Sequence, residues 1–252
     1  MGADFHSSLR EMRSVFDLLD ACVPPPVKVP RDRSFVYRYA EQSLEQALVM
    51  KLARAISDLG AAVVLLETGY VQEVGALLRG VDDFDEEIEF LGFAKLTGTR
   101  SEVHDRFLAA VYMEVIEDRE DVLGSLTKKR PGVTRREIRE AIDISLAEMA
   151  RQSGTPLESA TELTRAVSTL YNGFAHAGSP QVLEMYGGNP PHYHLDGMLG
   201  TRRIVEHERD LRNHFCRVSL SLGLVAMVVG SPEGHNRARQ LSSSLERVSK
   251  AE

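Results

Sequence analysis

Gly69-Tyr-Val-Gln-Glu-Val-Gly-Ala-Leu-Leu-Arg-Gly-Val-Asp-Asp-Phe-Asp-Glu-Glu-Ile-Glu-Phe-Leu91 sets one arginine, Arg79, in an apolar helical run and follows it at once with a dense acidic cluster. A guanidinium on the inner face of a helix must meet carboxylates or backbone oxygens, because an unpaired buried charge costs several kcal/mol. Asp82 and Asp83 lie three and four positions on, within reach along one helix face. The stretch therefore predicts a helix from Tyr70 to about Ala94, with Arg79 buried and bonded to Asp82, Asp83 or Glu86.

Working outward, helical periodicity dominates and no two-residue alternation of a half-buried strand stands out. The expectation is an all-α protein: a single helical bundle of about seven to eight helices with one long Gly/Pro-rich loop. The chain of 252 residues is long enough to bury a sizeable core. Residues 1–33 read as an N-terminal helix and a Pro-rich connection, 34–230 as the core bundle and 231–252 as a polar C-terminal helix. A long helical region is expected from Ser34 to Thr68, with Gly60 as a place to bend. Ser101 is a natural N-cap, and Thr134-Arg-Arg-Glu137 fits a capping box. Residues 177–197 form the long loop, expected to lie against the polar cluster and present His176, His192 or His194 to it.

The formal charge of −7 does not point to wholesale nucleic-acid binding, so any such contact must be local. Lys128-Lys-Arg-Pro-Gly-Val-Thr-Arg-Arg-Glu-Ile-Arg139 and Thr201-Arg-Arg203 are the basic clusters. Two widely separated cysteines, no signal-peptide core and no apolar run of membrane length give the expectation of a cytoplasmic protein without a membrane contact. The carboxylates after Arg79 and the pair His192/His194 have the chemistry of metal ligands, but the spacing is nonspecific. No metal and no cofactor is expected.

Arg209-Asp-Leu-Arg-Asn-His214 resembles the signature of the HEPN superfamily. The resemblance implies an all-α bundle in which an arginine and a histidine from each of two protomers meet at a dimer cleft and cleave RNA without a metal. It makes Arg209 and His214 the candidate catalytic pair, in a bacterial toxin or antiviral defence system. The chemistry is coherent, since histidine exchanges protons near neutral pH and arginine stabilises charge on a phosphate. On a straight helix, residues five apart point about 140° away from each other, so a shared site calls for a homodimer or a distortion.

A second stretch, Leu170-Tyr-Asn-Gly-Phe-Ala-His176, follows Leu77-Leu-Arg79 by about a hundred residues and precedes the glycine-rich loop. Together they resemble a bacterial helical family of unknown function whose first motif reads Leu-Leu-Arg-Ser-Leu-Phe-Glu. In this chain Gly80 stands in place of the serine and Asp83 in place of the glutamate. The resemblance implies that Arg79, Asp83 and His176 converge, with Tyr171 beside them, as a binding site. The alternative to a ribonuclease is a non-catalytic helical interaction or regulatory module. Its buried Arg/Asp/His cluster would be structural, and its partner RNA or another protein.

Overall fold

The structure, a computed structural model, describes residues 2–31, 34–114, 121–127, 131–154 and 169–249. It is all-α apart from two small hairpins. In chain order the elements are α1 (Gly2–Asp20), β1 (Val27–Arg31), β2 (Ser34–Arg38), α2 (Leu44–Thr68), α3 (Val71–Thr97), α4 (Glu102–Tyr112), α5 (Val122–Thr127) and α6 (Arg135–Ser153). They continue with the helical residues 169–175, labelled α7, then α8 (Ser179–Leu183), β3 (Tyr186–Gly187), β4 (His192–Tyr193), α9 (Arg203–Val229) and α10 (Pro232–Ser249).

The helix limits follow from local chemistry. Ser43 Oγ accepts from the Gln46 backbone N–H at 3.1 Å while the Gln46 side chain accepts from Ser43 N at 3.0 Å, which closes the first turn of α2. Gly69, at φ +90°, ends that helix in the left-handed region, and α3 starts two residues later. α2 and α3 are thus an antiparallel pair joined by a tight glycine turn. The capping boxes at Ser101 and Thr134 form as the sequence predicts.

α9 packs on both α2 and α3, α10 folds back over α9 and α1, and α6 lies along α3. The core between them contains Met12, Leu19, Leu48, Leu52, Leu59, Leu78, Ile88, Phe90, Leu91, Leu211, Phe215 and Leu222, all fully buried. Each helix supplies these at spacings of three and four, so the apolar stripes face inward together. α3 and α9 approach most closely at Gly92, where an added Cβ would stand 2.9 Å from Leu224 Cδ2.

Several expectations are corrected. Residues 34–38 are not the start of α2 but a strand, paired with Val27–Arg31 in the register Lys28↔Tyr37 and Pro30↔Phe35. Pro30 breaks helical hydrogen bonding, and the β-branched and aromatic residues around it favour extended chain. Gly60 does not bend α2, which runs unbroken. The segment 177–197 also contains α8 and the short β3–β4 hairpin, so it is a folded excursion, not an irregular loop. The helix that opens at Ser101, which the sequence carries to about Asp118, ends instead at Tyr112, where Met113 is extended; residues 115–120 lie outside the described residues.

Gly92→Val should overfill the α3–α9 contact and lower stability by about 1–3 kcal/mol. Denaturant titration should show a smaller loss in a Leu224→Ala background, where the valine has room.

Candidate functional site

Six residues of α3, Asp82 to Glu87, include five carboxylates. Successive side chains turn by about 100°, so no single neighbour can take them all. Asp82 and Asp85 face α9, Glu86 faces α6, Glu87 faces both α2 and α6, and Asp83 faces Arg79 and Arg135. Lys51 Nζ of α2 meets Glu87 Oε2 at 2.6 Å. From α6, Arg135 Nη2 reaches Glu87 Oε1 at 2.8 Å and Asp83 Oδ1 at 3.1 Å, and Arg139 Nε reaches Glu86 Oε1 at 2.5 Å.

The α9 side of this turn is the most enclosed. Arg217 donates to Asp85 Oδ2 from Nε at 3.0 Å and also bonds Asp82. Ser221 donates to the other oxygen of Asp85. His214 approaches Asp82 Oδ1 through Nε2 at 3.1 Å and its own helix's Asp210 carbonyl through Nδ1 at 2.8 Å. The Tyr171 ring of α7 closes over the imidazole edge to face, with centroids 5.2 Å apart. Asp82, Asp85, His214 and Tyr171 are all buried.

The electrostatics follow from this enclosure. Burial pushes the Asp82 carboxyl up, but the hydrogen bond and charge of His214 and the charge of Arg217 outweigh it and hold the group below the ordinary carboxylate range. Burial lowers the Arg217 guanidinium, and Asp85 and Asp82 more than restore it. Burial, with Asp210 and Asp82 nearby, pushes the Tyr171 phenol well up. Beside the network, the compensation at Glu89 is incomplete: burial and then the neighbouring Asp85 raise it to about 7 against the opposing charge of Arg217.

A cleft of about 420 Å³ opens next to this network, between α9 and α10 with α3 behind. Asp85, Arg217 and Ser221 form its inner end, Phe93 and Leu224 are apolar wall, and Arg239 and Ser243 lie on α10. Leu220 and Met227 on its α9 side are exposed, at 60% and 48%.

The sequence-predicted residues are only partly brought together. Arg79 is half-buried, not sealed, and lies between Asp83, with Nη1 2.5 Å from Oδ1, and Asn172 Oδ1 at 2.6 Å from Nε. Its expected partner Asp82 points instead to α9. Tyr171 joins His214, while His176 is exposed at the end of α7. Arg209 is exposed and His214 is 2% exposed, on opposite sides of an unbroken helix, so one chain does not bring the pair into a common cleft.

The segment 177–197 does not lie over the acidic turn. Its far end is tied to the α2–α3 turn by Met198 N donating to Gly69 O at 2.8 Å, and Glu184 faces His207 of α9 at 3.6 Å. The His192 and His194 rings are tilted against each other with centroids 4.5 Å apart, and His192 Nδ1 is 2.9 Å from the Pro190 carbonyl. Among the described residues no group of three or more His, Cys, Asp or Glu side chains is placed to hold a metal ion. No helix among them is long and apolar enough to cross a membrane. Of the basic cluster at 128–139, residues 128–130 lie outside the described residues, and Arg135 and Arg139 are committed to α3.

Sequence reasoning missed Arg217, Asp85, Ser221 and Glu89. The signal was present: Arg217 and Ser221 interrupt the most apolar segment of the chain four residues apart, the same anomaly that drew attention to Arg79. Comparison of the chain with known protein families, curated proteins and solved structures finds no match, so the functional reading rests on this geometry.

Arg217→Ala should leave Asp82 and Asp85 buried without their cation and lower stability at neutral pH by about 3 kcal/mol. Because Asp82 is held low, that contribution is present above the ordinary carboxylate value and fades as pH falls below it, so the penalty should shrink in acid. Glu89 has the opposite sign. Its folded value of about 7 lies above the ordinary 4.5, so its contribution is complete below 4.5 and is lost as pH rises through 7. Thermal melts of Glu89→Gln should therefore match the parent in acid and exceed it at alkaline pH.

Proposed function

We propose that the chain is a non-catalytic helical interaction module in which the Asp82–His214–Arg217–Asp85 network is structural and the adjoining cleft is the recognition surface. The observation that carries this reading is the environment of His214. Both ring nitrogens are engaged inside the bundle, Nε2 3.1 Å from the Asp82 carboxylate and Nδ1 2.8 Å from the Asp210 carbonyl. A side chain that is 2% exposed, with both nitrogens turned to partners in the bundle and the Tyr171 ring over its edge, presents no free nitrogen to a substrate. Arg217 is likewise committed to two carboxylates.

The cleft, in contrast, has the features of a binding site: apolar walls with a few polar groups at defined places. Phe93 and Leu224 would take the apolar part of a ligand or partner side chain, and Arg239 with Ser243 its polar end. The HEPN-like ribonuclease reading would require His214 to leave its two acceptors and reach Arg209 of another protomer.

Purified protein incubated with total RNA, with and without chelator, should leave the RNA intact and indistinguishable from an Arg209→Ala/His214→Ala variant. An anilinonaphthalene sulfonate probe, apolar with one anionic end, should bind the parent and lose its fluorescence gain in Ser243→Trp, which fills the mouth of the cleft. Chelator-resistant cleavage that disappears in the Arg209→Ala/His214→Ala variant would overturn the proposal in favour of the ribonuclease.

A further inference from the structure

The β1–β2 hairpin is at odds with the rest of the molecule. Its ten strand residues contain Lys28, Arg31 and Arg38 and no carboxylate, in a chain whose formal charge is −7. It also exposes large side chains that a folded protein ordinarily covers: Phe35 at 46%, Tyr37 at 54% and Val27 at 49%. A two-stranded ribbon gains little from burial in isolation, so apolar and aromatic side chains left on its surface cost solubility without returning core stability.

The register places these groups in an order. Lys28 pairs with Tyr37 and Pro30 with Phe35, so all four share one face. On that face the Phe35 and Tyr37 rings stand edge to face with centroids 5.4 Å apart, and Lys28 Nζ lies 4.5 Å above the Phe35 ring. A cleft of about 570 Å³ extends from the base of the ribbon toward its turn end and is lined by Arg31, Tyr37, Arg38, Tyr39, Tyr112 and Glu114, among others. Lys28 shares the face of the rings, while the register puts Arg31 and Arg38 on the opposite face, where both line the cleft. Exposed rings with cations beside them suit an unpaired strand of bases and phosphates: each ring offers a stacking platform and each cation a phosphate contact. A duplex keeps its bases stacked on one another and has no use for the rings.

Glu114 bears on the sugar. It bonds Arg38 and, among the described residues, is the only carboxylate in the lining of this cleft. A ribose 2′-hydroxyl can donate to it, whereas a deoxyribose has no donor at that position. Charge also decides against the other occupants of an exposed hairpin. Arg31 stands at the turn end of the ribbon, so insertion into a bilayer would bury its charge. Pairing with the same hairpin of a second copy would bring three cations against three.

We propose that the β1–β2 hairpin and the cleft at its base form a binding site for single-stranded RNA, with Phe35 and Tyr37 stacking on bases and Lys28, Arg31 and Arg38 contacting phosphates. This site lies on different elements from the α3–α9 network, and its test stands whether or not that network is catalytic.

Fluorescence anisotropy with a short labelled oligouridine should show binding at low salt that weakens as salt rises, by about 0.7 log units per tenfold salt for each phosphate contacted. Lys28→Gln/Arg31→Gln should flatten that salt dependence. Tyr37→Ala should weaken binding about tenfold at fixed salt. All three substitutions are on the exposed ribbon, and circular dichroism melts should match the parent. A deoxy oligomer of the same length and a duplex should bind less tightly. No binding of the oligouridine at low salt, or binding that none of these variants alters, would overturn the proposal. So would equal affinity for the deoxy oligomer, hairpin-dependent binding of phosphatidylserine vesicles, or a hairpin-dependent dimer that does not bind RNA.

Discussion

Five carboxylates within six residues of one buried helix impose a constraint that the rest of the bundle must satisfy. A helix distributes Asp82, Asp83, Asp85, Glu86 and Glu87 around its axis, and α3 is surrounded, so each acid is delivered to a different neighbour. Lys51 on α2, Arg135 and Arg139 on α6, and Arg217 on α9 are the replies. Such pairs add little net stability over an apolar interior, because desolvating both charges offsets most of their attraction. Their effect is on alternatives. Sliding α9 by one turn against α3 would strand Asp82 and Asp85 without a cation, whereas an all-leucine seam would tolerate it. The ionic turn thus fixes register, and the apolar residues above and below it, Leu78, Ile88 and Leu91 against Leu211, Phe215 and Leu222, supply the burial.

That division explains where chemistry is left available. Within the bundle centre the ionisable groups have their hydrogen bonds and charges directed at one another. At the margin of the network, Glu89 lies beside the α9–α10 cleft, where burial and Asp85 outweigh the charge of Arg217. The β1–β2 ribbon is the other place where side chains are not spent on folding. Recognition surfaces on rigid scaffolds commonly sit in this relation to the core: the interior is closed, and function lies on clefts and excursions.

The helices were largely legible because their ends are written in local sequence. Ser43, Ser101 and Thr134 cap with their own third residues, and Gly69, Gly98, Gly154 and Gly230 take the positive φ that stops a helix. The hairpin was not, because Tyr37, Ala40 and Leu44 happen to fall at helical spacing with the true helix; Tyr37 is in fact exposed, and exposure is not visible in a periodicity. Arg79 was assigned an acid in its own helix, and Asp83 is one of its two partners; the other, Asn172, is 93 positions away. His214 and Arg217 reach Asp82 across 132 and 135 positions. Reasoning from i+3 and i+4 neighbours sees only one helix at a time, so it detects that a buried acid needs a cation but not which helix will bring it.

The Arg209/His214 motif shows the same limit from the functional side. The pattern describes two residues five apart, and α9 carries them through without a kink, so the arginine emerges into solvent while the imidazole enters the seam. A second protomer could supply another Arg209, but it would meet a histidine behind Tyr171. Releasing that imidazole means breaking its hydrogen bond to Asp82 and its bond to the Asp210 carbonyl and leaving Asp82 with Arg217 alone. Exposing a buried ion-paired carboxylate of this kind costs several kcal/mol. A dimer contact would have to return that much before any phosphate was bound, whereas the α9–α10 cleft and the exposed face of the ribbon are open as they stand.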